Sequence, residues 1–268
     1  MAYVLDGTIS QEEIRNLFIP EVEASLVATN FATFETVMDA ESIKIPGIGA
    51  VTVLPYTGTA VTSDATDTSK LLVLDQADYF QKAVDKVDNA QAAVKVIGKV
   101  LEKGAVSTAE AIEAYVFSVL GAAANTVTGG TLTVATVAAW ISSMSVALTN
   151  QKCPRRGRKL AVTPEISALI ASANLALNTV TAEEAAREGF VGRFGGFDIF
   201  ETIYLADGAS TGKMAVATVV DGSYAGIGYQ EYNVGEPTEG FKWIAKGLAN
   251  YGAVIAQEAF IVASDVEV

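Results

Sequence analysis

The chain has 268 residues, with 18 basic against 31 acidic side chains, a formal net charge of −13, no histidine and one cysteine. The acidity argues against a nucleic-acid binder, which needs Lys and Arg to meet phosphates, and the absence of His removes Ser-His-Asp and Cys-His catalysis and His-ligated metal sites. Cys153 alone excludes a disulfide within one chain, and the length suits one large domain or two modest ones with a core that folds without staples.

Half the residues are hydrophobic and only 18% are charged. The N-terminal Met-Ala-Tyr-Val-Leu-Asp has neither the basic nor the apolar region of a secretory signal, so the expectation is a soluble, cytoplasmic protein. Ser10-Gln11-Glu12-Glu13 forms a capping box ahead of Ile14, Leu17 and Phe18 and predicts a helix start. Pro20 ends or kinks that helix, and Val22 and Leu26 continue an apolar face beyond it.

Residues 43–56 alternate β-branched side chains with Pro and Gly and predict short strands with a turn at Pro46-Gly47. From Thr57 to Lys70 the chain is Thr, Ser, Gly, Ala and Asp with little to bury, so this segment projects from the body. Leu71 to Leu74, Tyr79 and Phe80 return as a strand. The result is a long hairpin, marginal alone in water, that needs another surface to lie on.

From Asn89 to about Gly121 the apolar spacing is helical: Val94, Ile97, Val100, Leu101, then Ile112, Tyr115, Val116 and Val119. Gly104 followed by the capping box Ser107-Thr108-Ala109-Glu110 admits either a break into two helices or one continuous helix. Residues 114–151 carry no charged side chain, but Asn125, Gly129, Gly130 and scattered Thr and Ser argue against a membrane span. A helix is predicted over 133–149, a strand over Lys159–Val162, a helix from Pro164, and a helical turn at Glu183–Arg187. Strands follow over Phe190–Leu205 and Met214–Ile227, and a β-rich run over Leu248–Ala263. Helices interleaved with mostly non-local strands define an α+β fold.

Chemistry-bearing motifs are weak. Gly47-Ile48-Gly49 and Gly226-Ile227-Gly228 lack the third glycine of a dinucleotide loop and read as turn glycines. Asp64, Asp67, Asp75 and Asp78 lack calcium-loop spacing and read as solvated or partner-facing. Asp85 and Asp88 read the same way. Lys152, Arg155, Arg156, Arg158 and Lys159 form the densest basic run. It reads equally as a solvated loop or as a docking point for an acidic patch on another copy. Cys153, inside this run, reads as an inert thiol. No catalytic, cofactor or metal residue is assigned.

Four stretches, in chain order, resemble the major capsid proteins of tailed bacteriophages with the Hong Kong 97-type fold. They are Ile43–Val53; Leu72–Phe80 with Val84–Gln91; Pro154, Gly157 and Arg158 with Thr163–Glu165, Gly189–Arg193 and Gly196–Ile199; and Lys246–Val254 with Glu258-Ala259. The resemblance implies an N-terminal arm (1–41), an extended E-loop (42–82), a peripheral domain (83–127 and 226–268) with a spine helix near 90–121, and an axial domain (128–225). It further implies hexamers and pentamers closing an icosahedral shell around double-stranded DNA in a virion assembled in a bacterial cytoplasm, a portal as partner, and scaffolding that is either supplied by a separate protein or not needed. Subunit contacts are expected at Thr57, Thr62, Asp64, Asp67 and Lys70 of the hairpin tip and at Arg155, Arg156 and Arg158 of the basic run. Some relatives cross-link a loop Lys to a distant Asn, and Lys70 is the only Lys near this tip. An encapsulin-type nanocompartment is the alternative within the fold. A Ser-Lys hydrolase and a surface-layer or adhesin domain are alternatives of other classes.

Overall fold

The computed structural model describes residues 27–36, 42–47, 67–86, 96–173, 175, 190–205, 212–219, 221–235 and 242–268. The expected helix at 10–26, the turn at 183–187 and most of the hairpin tip, including Thr57, Thr62 and Asp64, lie outside the described residues.

The strands are β1 (Thr33–Thr36), β2 (Ser42–Ile45), β3 (Lys70–Val73), β4 (Gln76–Asp85), β5 (Thr126–Thr131), β6 (Arg158–Val162), β7 (Phe190–Phe194), β8 (Phe197–Glu201), β9 (Lys213–Val219), β10 (Ser223–Gly235), β11 (Lys242–Ile255) and β12 (Ile261–Glu267). The helices are α1 (Val96–Gly121), α2 (Val137–Asn150) and α3 (Pro164–Ser172). β1, β10, β11 and β4 form one sheet in that order, β5, β12, β9, β6, β8 and β7 a second, and β2 and β3 a separate two-stranded ribbon. Strands far apart in sequence pair with one another between helices, so the molecule is mixed α+β.

The central strands of the six-stranded sheet are buried on both faces, and period-2 alternation divides their apolar side chains between two hydrophobic clusters. Ala161, Val216, Ile261 and Ala263 face α1, where Phe31 meets Phe117 and Phe200 edge-on at 5.5 and 5.6 Å. Leu160, Val162, Ala215, Ala217 and Val262 face Trp140, Ile141 and Met144 of α2 and Ile166 and Ile170 of α3. Trp140 Nε1 donates to Ser264 Oγ at 2.9 Å, and that hydroxyl donates to the Val127 carbonyl at 2.7 Å, tying α2 to β12 and β5.

α1 runs unbroken through Gly104 for 26 residues, a length of about 39 Å. Its buried stripe, Ile97, Leu101, Ala105, Ile112, Val116 and Leu120, follows the helical period. The capping box at Ser107 is not used as a helix start, and Thr108 Oγ1 instead donates to the Gly104 carbonyl one turn back, at 2.9 Å. The reason for the glycine is external. The Phe80 ring of β4 occupies the space where a Cβ at 104 would stand.

The strands near the end of the chain divide between the two sheets: β10 and β11 build the four-stranded sheet, whereas β12 inserts between β5 and β9 in the six-stranded one. The alternation of Val262 and Val266 against Ile261 and Ala263 explains this, since both faces of β12 are apolar and need cover on both sides.

Candidate subunit interface

The basic run is built by the end of α2. Lys152 adopts the left-handed conformation (φ 62°) that closes a helix, with its N–H bonded to the Thr149 carbonyl at 2.9 Å and the Cys153 N–H to the Leu148 carbonyl at 3.1 Å. Gly157 (φ 74°) then turns the chain into β6. Arg158 is 2% exposed. Its Nε donates to the Pro154 carbonyl at 2.9 Å and its Nη2 to the Cys153 carbonyl at 3.0 Å. Its Nη1 reaches the Ser145 carbonyl, Ser145 Oγ and Thr149 Oγ1, each at 3.1 Å.

Arg158, expected as a contact residue, spends its head group inside its own subunit, on Ser145 and Thr149 of α2 and on the Cys153 and Pro154 carbonyls of the loop. Lys159 faces the opposite side of β6 and donates to Asn30 Oδ1 at 3.4 Å. Lys152, Arg155 and Arg156 remain exposed at the loop. Cys153 is buried with Sγ donating to the Ala259 carbonyl at 2.7 Å, and burial pushes its thiol pKa up against the opposing pull of Arg158. An inert thiol follows.

The base of the hairpin is clamped by its own charges. Lys44 Nζ meets Asp67 Oδ2 at 2.8 Å, the Ser69 N–H donates to Asp67 Oδ1 at 2.8 Å, and the Thr68 N–H donates to the Gly47 carbonyl at 3.1 Å. The Lys44 ammonium and the Ser69 donors lower the Asp67 carboxyl to about 2. Lys70 pairs with Glu258 at 3.7 Å, tethering β3 to the turn before β12. Asp67 and Lys70, both expected contacts, are thus partnered within their own chain.

Two further carboxylates, Asp75 and Asp78, take roles that sequence reasoning missed. Tyr115 of α1 donates to Asp75 Oδ1 at 2.8 Å, Tyr251 of β11 donates to Asp78, and the two tyrosine rings meet edge-on at 5.5 Å. Burial, then the adjoining aspartate, raises both phenol pKa values. The signal available in the sequence was parity: Asp78 shares a strand face with Phe80, the side chain that packs on α1.

Large apolar side chains are exposed on both sides of the molecule. Tyr79 (78% exposed) stands opposite Leu248 on the face of the four-stranded sheet away from α1, and Leu71 and Val73 are exposed on the ribbon. A separate cleft of about 270 Å3 lies between α1 and the segment after β8, lined by Val106, Ala109, Glu110 and Glu113 on one side and Glu201, Thr202, Ile203 and Tyr204 on the other. Thr202 Oγ1 donates to the buried Glu113 at 3.3 Å. Among the described residues no group of His, Cys, Asp or Glu is placed to hold a metal ion, and no helix is long and apolar enough to cross a membrane.

No family model matches the chain, and no curated protein matches it by sequence. Solved structures do. One from Mycobacterium phage Che8 superposes with a TM-score of 0.69 at 21% identity, covering 84% of this chain and 85% of that one. The capsid of the cyanophage P-SCSP1u gives 0.66 at 11%, covering 91% and 88%. A virus-like particle from Pyrococcus furiosus gives 0.63 at 11%, covering 96% and 100%. The chain has the fold of tailed-phage capsid subunits, the Hong Kong 97-type fold.

Proposed function

We propose that this chain is the major capsid subunit of a tailed phage, assembling as hexamers and pentamers into an icosahedral shell that encloses double-stranded DNA. The observation that carries this is the match to phage capsid structures over most of both chains. In this reading α1 is the spine helix, β2, β3 and the residues joining them the E-loop, and the six-stranded sheet with α2 and α3 the core of the axial domain. Residues 1–41 are the N-terminal arm, whose β1 joins the four-stranded sheet, and the rest of that sheet belongs to the peripheral domain. The protein is a structural component of the virion, not an enzyme. Its partners are its own copies, a portal and a separate scaffolding protein, and it is assembled in the host cytoplasm. A net charge of −13 suits a lining that encloses DNA without gripping it.

Subunit contacts fall to the hairpin tip, with Thr57, Thr62 and Asp64, and to Arg155 and Arg156. Each contact is modest, and repetition around closed symmetry adds them up. The full overlap with the Pyrococcus particle chain favours a second reading, a nanocompartment holding protein cargo. Negative-stain microscopy and sedimentation of the purified protein test both. Closed uniform shells are expected, with nuclease-protected DNA inside them when they are made during infection; a co-purifying protein cargo in place of DNA selects the second reading. Monomers alone, with any scaffolding protein supplied, overturn both.

A further inference from the structure

The chain carries two surfaces of opposite sign that it cannot bring together itself. Lys152, Arg155 and Arg156 are exposed on a loop held rigid by the Arg158 hydrogen bonds, and no ion pair among the described residues involves them. Across the molecule, the cleft beside α1 presents Ile203, 70% exposed, and Val106, 43% exposed, flanked by Glu110 and Glu201. Neither of these two carboxylates meets a cation among the described residues.

Topology separates the two surfaces. β6 and β8 are parallel, with Arg158 opposite Phe197 and Val162 opposite Glu201. The loop therefore enters at one end of these strands and the cleft opens at the other, about 13 Å away along the strand. The loop follows α2 on one face of the six-stranded sheet, and the cleft lies against α1 on the other. A loop that cannot reach its own cleft can reach that of a neighbour.

Resting on the shell reading above, we propose that the cleft receives the basic loop of a second copy, with Arg155 and Arg156 against Glu110 and Glu201 and their aliphatic stems over Ile203 and Val106. Because loop and cleft are different patches of one chain, the contact is head-to-tail, and it repeats until the ring closes. Copies of an acidic chain repel one another, and this loop is the cation concentration that can offset the repulsion.

The test is charge reversal in the full chain, read by sedimentation and microscopy at about 0.15 M salt. R155E/R156E alone, or E110R/E201R alone, is expected to lower the yield of rings and shells roughly tenfold or more with the melting temperature unchanged. The combined four-site variant is expected to restore shells, since every loop then meets a cleft of opposite sign; an equimolar mixture of the two pairwise variants is expected to restore six-membered rings, in which the two can alternate, but not five-membered ones. Should E110R/E201R melt early, E110Q/E201Q probes the same contact. Wild-type yields from a stably folded pairwise variant overturn the proposal, including the case in which only the DNA content of the shells falls. So does failure of both the four-site variant and the mixture to recover. In either case wild-type shells leave the capsid reading standing. A wild-type chain that forms neither rings nor shells removes the capsid reading and this contact together.

Discussion

Arg158 is a cation used as internal scaffolding. Its guanidinium meets five acceptors contributed by α2 and the loop it supports. Replacing it with Met strands several buried carbonyls and is expected to cost about 3 kcal/mol or more in denaturant unfolding. Lys does not rescue, because a point ammonium on a flexible stem cannot span that fork of acceptors. R155A and R156A, whose head groups are in solvent, should change stability by less than about 0.5 kcal/mol. A stable R158M would show that the cage holds nothing in place. The sequence presented these residues as one patch of charge. The alternation of Arg158 with the buried Leu160 and Val162 on one face of β6 was present in it, and would have separated Arg158 from its neighbours.

At the scale of elements, glycine governs how strands meet other elements. Phe80 seats on Gly104 in the middle of α1, and Gly252 of β11 lies so close to the Val73 carbonyl that a side chain there has no room. Adding a methyl group at 104 has opposed effects: better helix propensity, by about 1 kcal/mol, against displacement of the Phe80 ring, costing about 1–3 kcal/mol. G104A is therefore expected to destabilise the wild-type protein and to stabilise the F80A variant by about 1 kcal/mol. The same sign in both backgrounds would remove Phe80 as the reason for the glycine. Local spacing foretold a helix here and left its continuity open, because the ring that decides the matter comes from a different element. The helix at Pro164 and the strand before it were readable because Pro at the first helical position and the short apolar run Leu160-Ala161-Val162 are local signals.

For the molecule as a whole, the interleaving of helices with distant strands marked the α+β class, and an ordered set of short motifs marked the family resemblance. What the sequence could not rank was which sheet each late strand would join, since that depends on cover from both faces. The described residues of both hydrophobic clusters come from outside the hairpin tip. Deleting residues 58–69 is accordingly expected to leave a monomer with a cooperative, wild-type-like melt that no longer forms shells. Shells of normal yield and shape from that deletion would take the tip out of assembly.

The position of β12 bears on when a subunit becomes competent. β5 has β12 as its strand partner, yet the two are separated by α2, α3 and six further strands. A ribosome adding roughly 5–20 residues per second leaves β5 without that partner for on the order of ten seconds. A nascent chain that has not yet made β12 therefore lacks a finished six-stranded sheet, and the order of synthesis delays that face of the subunit until β12 has been added.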